Sequence, residues 1–117
     1  MDKFMLIFYN TMPEEAAFAG LSPEAIQAEI AKWNTWIGGI AAQEKFILTE
    51  GLLPTGKTVS GKAQIITDGP FAEAKEIVGG FTLLHATNLD EAVELSKGCP
   101  IFEAGGRVEV RPVQAYD

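Results

Sequence analysis

Lys3-Phe4-Met5-Leu6-Ile7-Phe8-Tyr9 is a nearly unbroken apolar run close to the start of the chain. It is too short for a typical helix and is built from aromatic and aliphatic side chains. That combination predicts a strand buried on both faces. The rest of the chain must therefore supply its partners and its cover.

Working outward, Asn10 to Gly20, with Pro13 and Gly20, reads as a loop. Ser22-Pro23-Glu24 starts a helix: a capping hydroxyl, proline at the first position and an acid in the first turn. Ile26, Ile30, Trp33, Ile37 and Ile40 then recur at helical spacing as one apolar stripe. Trp33 lies at the centre of the stripe and is expected in the core. Trp36 lies at its edge near Glu29, a candidate to line a pocket or an interface, with core or interface the favoured role. Gly38-Gly39 is expected to loosen the last turns.

Phe46 to Leu53 reads as a second strand, Pro54-Thr55-Gly56 as a turn, and Ala63 to Thr67 as a third, short strand. Asp68-Gly69-Pro70-Phe71 is a tight loop. Ile77 to Ala86 is a fourth strand, in which Gly79-Gly80 marks a bulge or a close backbone approach. Thr87 or Asn88 caps a second helix, with Asp90 or Glu91 completing the cap. Its inner face is Leu89, Ala92, Val93 and Ser96; Gly98 ends it and Pro100 prevents its return. Gly105-Gly106 opens a last strand, Arg107 to Val113, where Val108 and Val110 alternate with Arg107, Glu109 and Arg111.

This β-α-β-β-β-α-β order predicts one α+β domain over residues 1–117: a ferredoxin-like antiparallel sheet with two helices on one face. Two helices cover one face only, yet the first strand is apolar on both. A second copy related by a two-fold axis is the simplest cover, so a homodimer is expected.

The composition narrows function mainly by exclusion. A chain of 117 residues, 47% hydrophobic and 21% charged, can bury a core without disulfides or metals. Cys99 and His85 are the only residues of their kinds, which rules out an internal disulfide and matches no metal-site spacing. No cofactor motif is present. Gly56-Lys57-Thr58 lacks the earlier glycine of a phosphate loop at the required spacing, and no G-x-S-x-G elbow occurs. A net charge of −7 argues against nucleic acid as a partner. Met1-Asp2-Lys3-Phe4 lacks signal-peptide features and no apolar run is long enough for a membrane span, so a soluble cytoplasmic protein is expected.

Five residues are candidates for a site. Asp68, at a strand end before Gly-Pro, offers a carboxylate to a pocket; apolar neighbours such as Phe71 would favour its action as a general base. The alternative is that it fixes the turn. Lys75 suits an anionic substrate or pairing with Asp68, against the alternative of a solvated charged turn. His85 shares a strand face with Phe81 and Leu83 and is a candidate acid or base, or a hydrogen-bonded structural residue. Asp68 and His85 form the expected catalytic set, and Phe71, Lys75 and Trp36 the expected substrate-binding set. Arg107 and Arg111 suit charge pairs or a carboxylate ligand. Cys99 has no basic neighbour in sequence that would make it a nucleophile.

The run Asp68-Gly69-Pro70-Phe71-Ala72-Glu73-Ala74-Lys75-Glu76, followed by Gly79-Gly80-Phe81, resembles the signature of the YCII-related (DGPF-domain) family. Trp33 and Trp36, Leu89-Asp90-Glu91-Ala92, and Gly106 with Val108-Glu109-Val110-Arg111-Pro112-Val113 extend the resemblance over most of the chain. The resemblance implies a ferredoxin-like fold assembled as a dimeric α/β barrel. The wider group includes enzymes that act on ring compounds through a His–Asp pair, and some members are associated with sigma-factor genes. Enzyme-like members carry their histidine near the start of the chain, where this sequence has Asn10, Thr11 and Met12, so the pair is not carried over. Two readings follow. One is a small-molecule-binding dimer with cofactor-free isomerase- or lyase-like chemistry, Asp68 acting as base with Lys75 or His85 as helper. The other is a non-catalytic dimeric module that binds a protein or effector in transcriptional regulation.

Overall fold

The computed structural model describes residues 1–10, 20–69 and 77–116. In chain order the elements are β1 (Asp2–Asn10), α1 (Pro23–Ala41), β2 (Phe46–Gly51), β3 (Lys57–Ser60), β4 (Ile65–Asp68), β5 (Ile77–Ala86), α2 (Leu89–Ser96), a 3-10 turn (Pro100–Ala104) and β6 (Arg107–Pro112). Four strands form one antiparallel sheet in the order β2-β5-β1-β6. With a helix after β1 and another after β5, this is the split βαβ arrangement expected. The loop read between Asn10 and Gly20 lies largely outside the described residues.

One expectation is corrected. The short strand read at Ala63–Thr67 does not join the main sheet. It is β4, shifted to Ile65–Asp68, and it pairs only with β3 as a separate two-stranded hairpin. β3 was missed because Lys-Thr-Val-Ser holds one apolar residue and gives no alternation to detect.

β1 has the character its sequence predicts. Phe4, Leu6 and Phe8 are buried against the helices, while Met5, Ile7 and Tyr9 on the other face are only half-buried. Leu84 and Ala86 of β5 join the covered face. So does Thr82, whose buried hydroxyl bonds that of Thr49 on β2 at 2.8 Å. Val108 and Val110 of β6 and Ile101 of the 3-10 turn pack on the same core.

Ser22 caps α1 by accepting the Ala25 N–H at 3.1 Å. The helix runs through Gly38-Gly39 to Ala41. Its inner face is rotated from the expected stripe. Trp36, not Trp33, is the buried tryptophan, and Ile30 is 41% exposed. Trp36 donates its Nε1–H to Leu95 O at 2.9 Å and meets Phe8 and Trp33 edge to face. An indole buries more area than an isoleucine, so two tryptophans three apart draw the buried face toward themselves.

At α2, Asn88 Oδ1 accepts the Glu91 N–H, and Glu91 Oε1 accepts the Thr87 N–H. This reciprocal cap, with the Lys45 ammonium 3.1 Å away, holds the Glu91 carboxyl below its ordinary range.

Gly79-Gly80 does what the sequence implied. The β1–β5 register shifts between Phe8 and Tyr9, opposite this pair. A Cβ on Gly80 would lie 2.6 Å from Glu50 O, and one on Gly79 would collide with the Asn10 side chain.

Trp36→Phe keeps an aromatic ring but leaves Leu95 O without its donor. We expect a loss of about 1–3 kcal/mol, read as a lower melting temperature with an unchanged far-UV spectrum.

Candidate functional site

The candidate residues fall in three separate places. Asp68 ends β4 in the hairpin. Its side chain is 93% exposed and pairs with Lys57 Nζ at 2.8 Å. The hairpin register sets Lys57 directly opposite Asp68, a partner the sequence reading did not name; the pairing expected with Lys75 lies outside the described residues. Reading Lys57–Ser60 as a strand would have revealed it. Gly69 N–H bonds Gly56 O, and Thr58 Oγ1 bonds Gly69 O at 3.0 Å, closing the hairpin's open end. Phe71 and Lys75 lie outside the described residues.

His85 stands on β5 in the face turned away from the helices. Lys3 is its cross-strand neighbour on β1. Its backbone N–H bonds Lys45 O at 2.7 Å. Its ring Nδ1 is sealed from solvent and bonds no group among the described residues. Buried polar atoms nearly always find a partner, so this nitrogen is an exception that calls for a physical account. No hydrogen bond or ion pair among the described residues joins His85 to Asp68 or to any other carboxylate.

Around His85 the face is mostly apolar. Met5 and Ile7 of β1 stand beside Leu83 and Phe81 of β5, all half-buried. Leu48 of β2 and Val78 of β5 are 39% and 37% exposed. At one margin the Arg107 guanidinium stacks 3.9 Å above the Tyr9 ring. Glu109 and Arg111 of β6 share this side, as their alternation with Val108 and Val110 predicted.

Trp36 is on the opposite side of the sheet from His85. It also borders a shallow, open cleft of about 570 Å³ between α1 and the Pro100–Ala104 turn, together with Lys32, Thr35, Cys99 and Phe102. Lys32 spans one end of the cleft, bonding Glu29 at 3.2 Å and Glu103 at 3.0 Å. Glu103 first, then Glu29, raises the Lys32 ammonium above its ordinary pKa. Cys99 is 3% exposed, and burial pushes its thiol up to about 12. Among the described residues, no group of His, Cys, Asp and Glu side chains converges as a metal site requires. No described helix is long and apolar enough to cross a membrane.

Two outcomes follow from these placements. Asp68→Asn should leave folding stability within about 0.5 kcal/mol of the parent, since exposed ion pairs contribute little; thermal melts at matched concentration test this. Cys99 should resist alkylation at pH 8 until the chain unfolds. Because its folded pKa is raised, the stability tied to the protonated thiol is complete below the unfolded pKa near 9. It is lost as pH rises from there toward 12. A thiol reagent that labels native and unfolded chains at equal rates would contradict the assignment.

The model of the YCII-related domain family matches residues 3–116 of the chain. The chain is also 27% identical, over 124 residues, to an uncharacterised protein of Rhizobium meliloti (strain 1021). That similarity takes in 97% of this chain and 93% of the relative.

Proposed function

The chain belongs to the YCII-related domain family, and from that premise we propose that it works as a homodimer that binds a small molecule on the sheet face opposite its helices. The observation that carries this reading is the open face itself. Met5, Ile7, Phe81 and Leu83 form an apolar block across the two central strands, with nothing of the described chain laid over it. Contiguous apolar surface on an uncovered sheet face is what an interface between copies uses. Two copies packed face to face about a two-fold axis would remove both blocks from water and set the helices outside, as a dimeric α/β barrel.

His85 supports a ligand on the same face. Its Nδ1 is sealed from solvent and has no hydrogen-bond partner among the described residues, so a turn of the ring that opens it to a bound molecule or to the second copy would give it one. In this reading the chemistry is proton transfer without a cofactor, of an isomerase or lyase kind, with His85 and Asp68 as the available acid and base.

A second reading is favoured by one specific observation: Asp68 is exposed and engaged by Lys57, and among the described residues no carboxylate bonds His85. A dimer without an assembled acid–base pair suits a non-catalytic module that binds an effector or a regulatory protein.

Sedimentation equilibrium tests the dimer. The parent chain is expected at the mass of two chains. Leu83→Glu is expected at the mass of one with the same far-UV spectrum, since a buried charge without a partner costs several kcal/mol. A parent chain that stays at one-chain mass up to high micromolar concentration overturns the reading.

The chain has one histidine, so a single imidazole Cε1–H resonance reports on the site. Small organic acids that shift this resonance in the parent, and whose affinity by titration calorimetry falls in His85→Gln, support the ligand site. Turnover of such a compound separates the catalytic from the non-catalytic reading.

A further inference from the structure

Among the described elements, the β3–β4 hairpin is the one whose position the core does not explain. No hydrogen bond or ion pair among the described residues ties its strands to the main sheet or to a helix. Its bonds are internal: Lys57 to Asp68, Thr58 to Gly69, Gly69 to Gly56 and Gln64 to Gly61. The radius of gyration is 15.9 Å, against about 13–14 Å for a compact chain of this length. The molecule extends 47 × 43 Å but is only 19 Å thick. An isolated two-stranded hairpin is at best marginally stable in water.

Its surface is also wrong for water. Val59 and Ile66 are cross-strand partners on one face, 62% and 64% exposed. Ile65, on the other face, is 61% exposed, and Leu53 in the segment leading to the hairpin is 69% exposed. We propose that this hairpin is an arm that packs on a second copy of the chain, adding a contact to the face-to-face interface. The inference rests on the homodimer proposed above.

Three features favour a second copy as the occupant. The arm leaves the sheet between β2 and β5, at the edge of the same sheet whose outer face is uncovered, so both surfaces can meet one partner. Four strands of this length give a sheet face of roughly 500 Å² in outline, whereas a stable interface buries about 800 Å² on each partner; two exchanged arms help to close that gap. Charge agrees as well. Residues 57–68 hold two lysines, Lys57 and Lys62, and one aspartate, Asp68, so the arm is net positive on a chain of net charge −7. It reaches toward an acidic partner and offsets part of the repulsion between two like-charged copies.

Two measurements test the arm. In the parent chain, amide exchange across Lys57–Asp68 should slow as concentration rises through the dimerisation range. In the double variant Val59→Ser with Ile66→Ser, the dimer dissociation constant should rise by about tenfold or more, from the apolar area lost. The first measurement needs no variant and stands even if the double variant misfolds. A dimer whose arm exchange is independent of concentration overturns the arm and leaves the sheet-face dimer intact. So does a folded double variant with an unchanged dissociation constant. A parent chain that is monomeric throughout overturns both.

Discussion

β1 is hydrogen-bonded on both sides, to β5 and to β6, and is apolar on both faces. A strand so placed imposes two separate demands. The side of Phe4, Leu6 and Phe8 is met within the chain by α1, α2 and the 3-10 turn, and Leu6 is fully buried there. The side of Met5, Ile7 and Tyr9 is met only in part, by neighbouring strands. Because side chains alternate along a strand, no change of register could hide both sets behind the same two helices. The incomplete burial of the outer face is thus a property of the sequence of β1, and not of how tightly the helices pack.

The same alternation decides where each polar group ends up. Thr82 falls on the covered face and is satisfied by Thr49, so it belongs to the core. His85, three residues on, falls on the open face, and its Nδ1 finds no partner among the described residues. The bulge opposite Gly79-Gly80 acts on this pattern at the other end of β5. It puts Val78 across from Tyr9 after Gly80 has paired with Phe8, and it needs glycine where the Glu50 carbonyl and the Asn10 side chain come close. Leu52 N–H then bonds Gly79 O, prolonging the β2–β5 contact to the point where the chain departs toward the hairpin.

Elements with a strong local signal were legible in the sequence. Ile77–Ala86 has the limits read from its composition, and the caps at Ser22 and at Asn88 with Glu91 form the bonds their spacing implies. Elements fixed by tertiary contact were not. Periodicity pointed to Trp33 as the buried indole, but the Leu95 carbonyl and the Phe8 ring select Trp36. The 3-10 turn at Pro100–Ala104 was hidden by the proline that ends α2. At the site, strand parity correctly placed His85 beside Phe81 and Leu83. The Lys57–Asp68 pair required a strand that its composition does not announce.

The two sides of the sheet also differ in what they leave unfinished. On the helical side, Trp36 gives its only donor to Leu95, Cys99 is held protonated by burial, and Lys32 is clasped by two glutamates. Those groups are already engaged in holding α1 against the 3-10 turn, and a ligand in the adjoining cleft would compete with bonds already made. On the open side, apolar surface remains in water and, among the described residues, an imidazole nitrogen has no bond. Binding there would relieve the hydration of apolar area, and an accompanying turn of the His85 ring would let its sealed nitrogen find a partner. That asymmetry, more than the shape of any one cavity, is why the proposed binding surface is the sheet and not the helices.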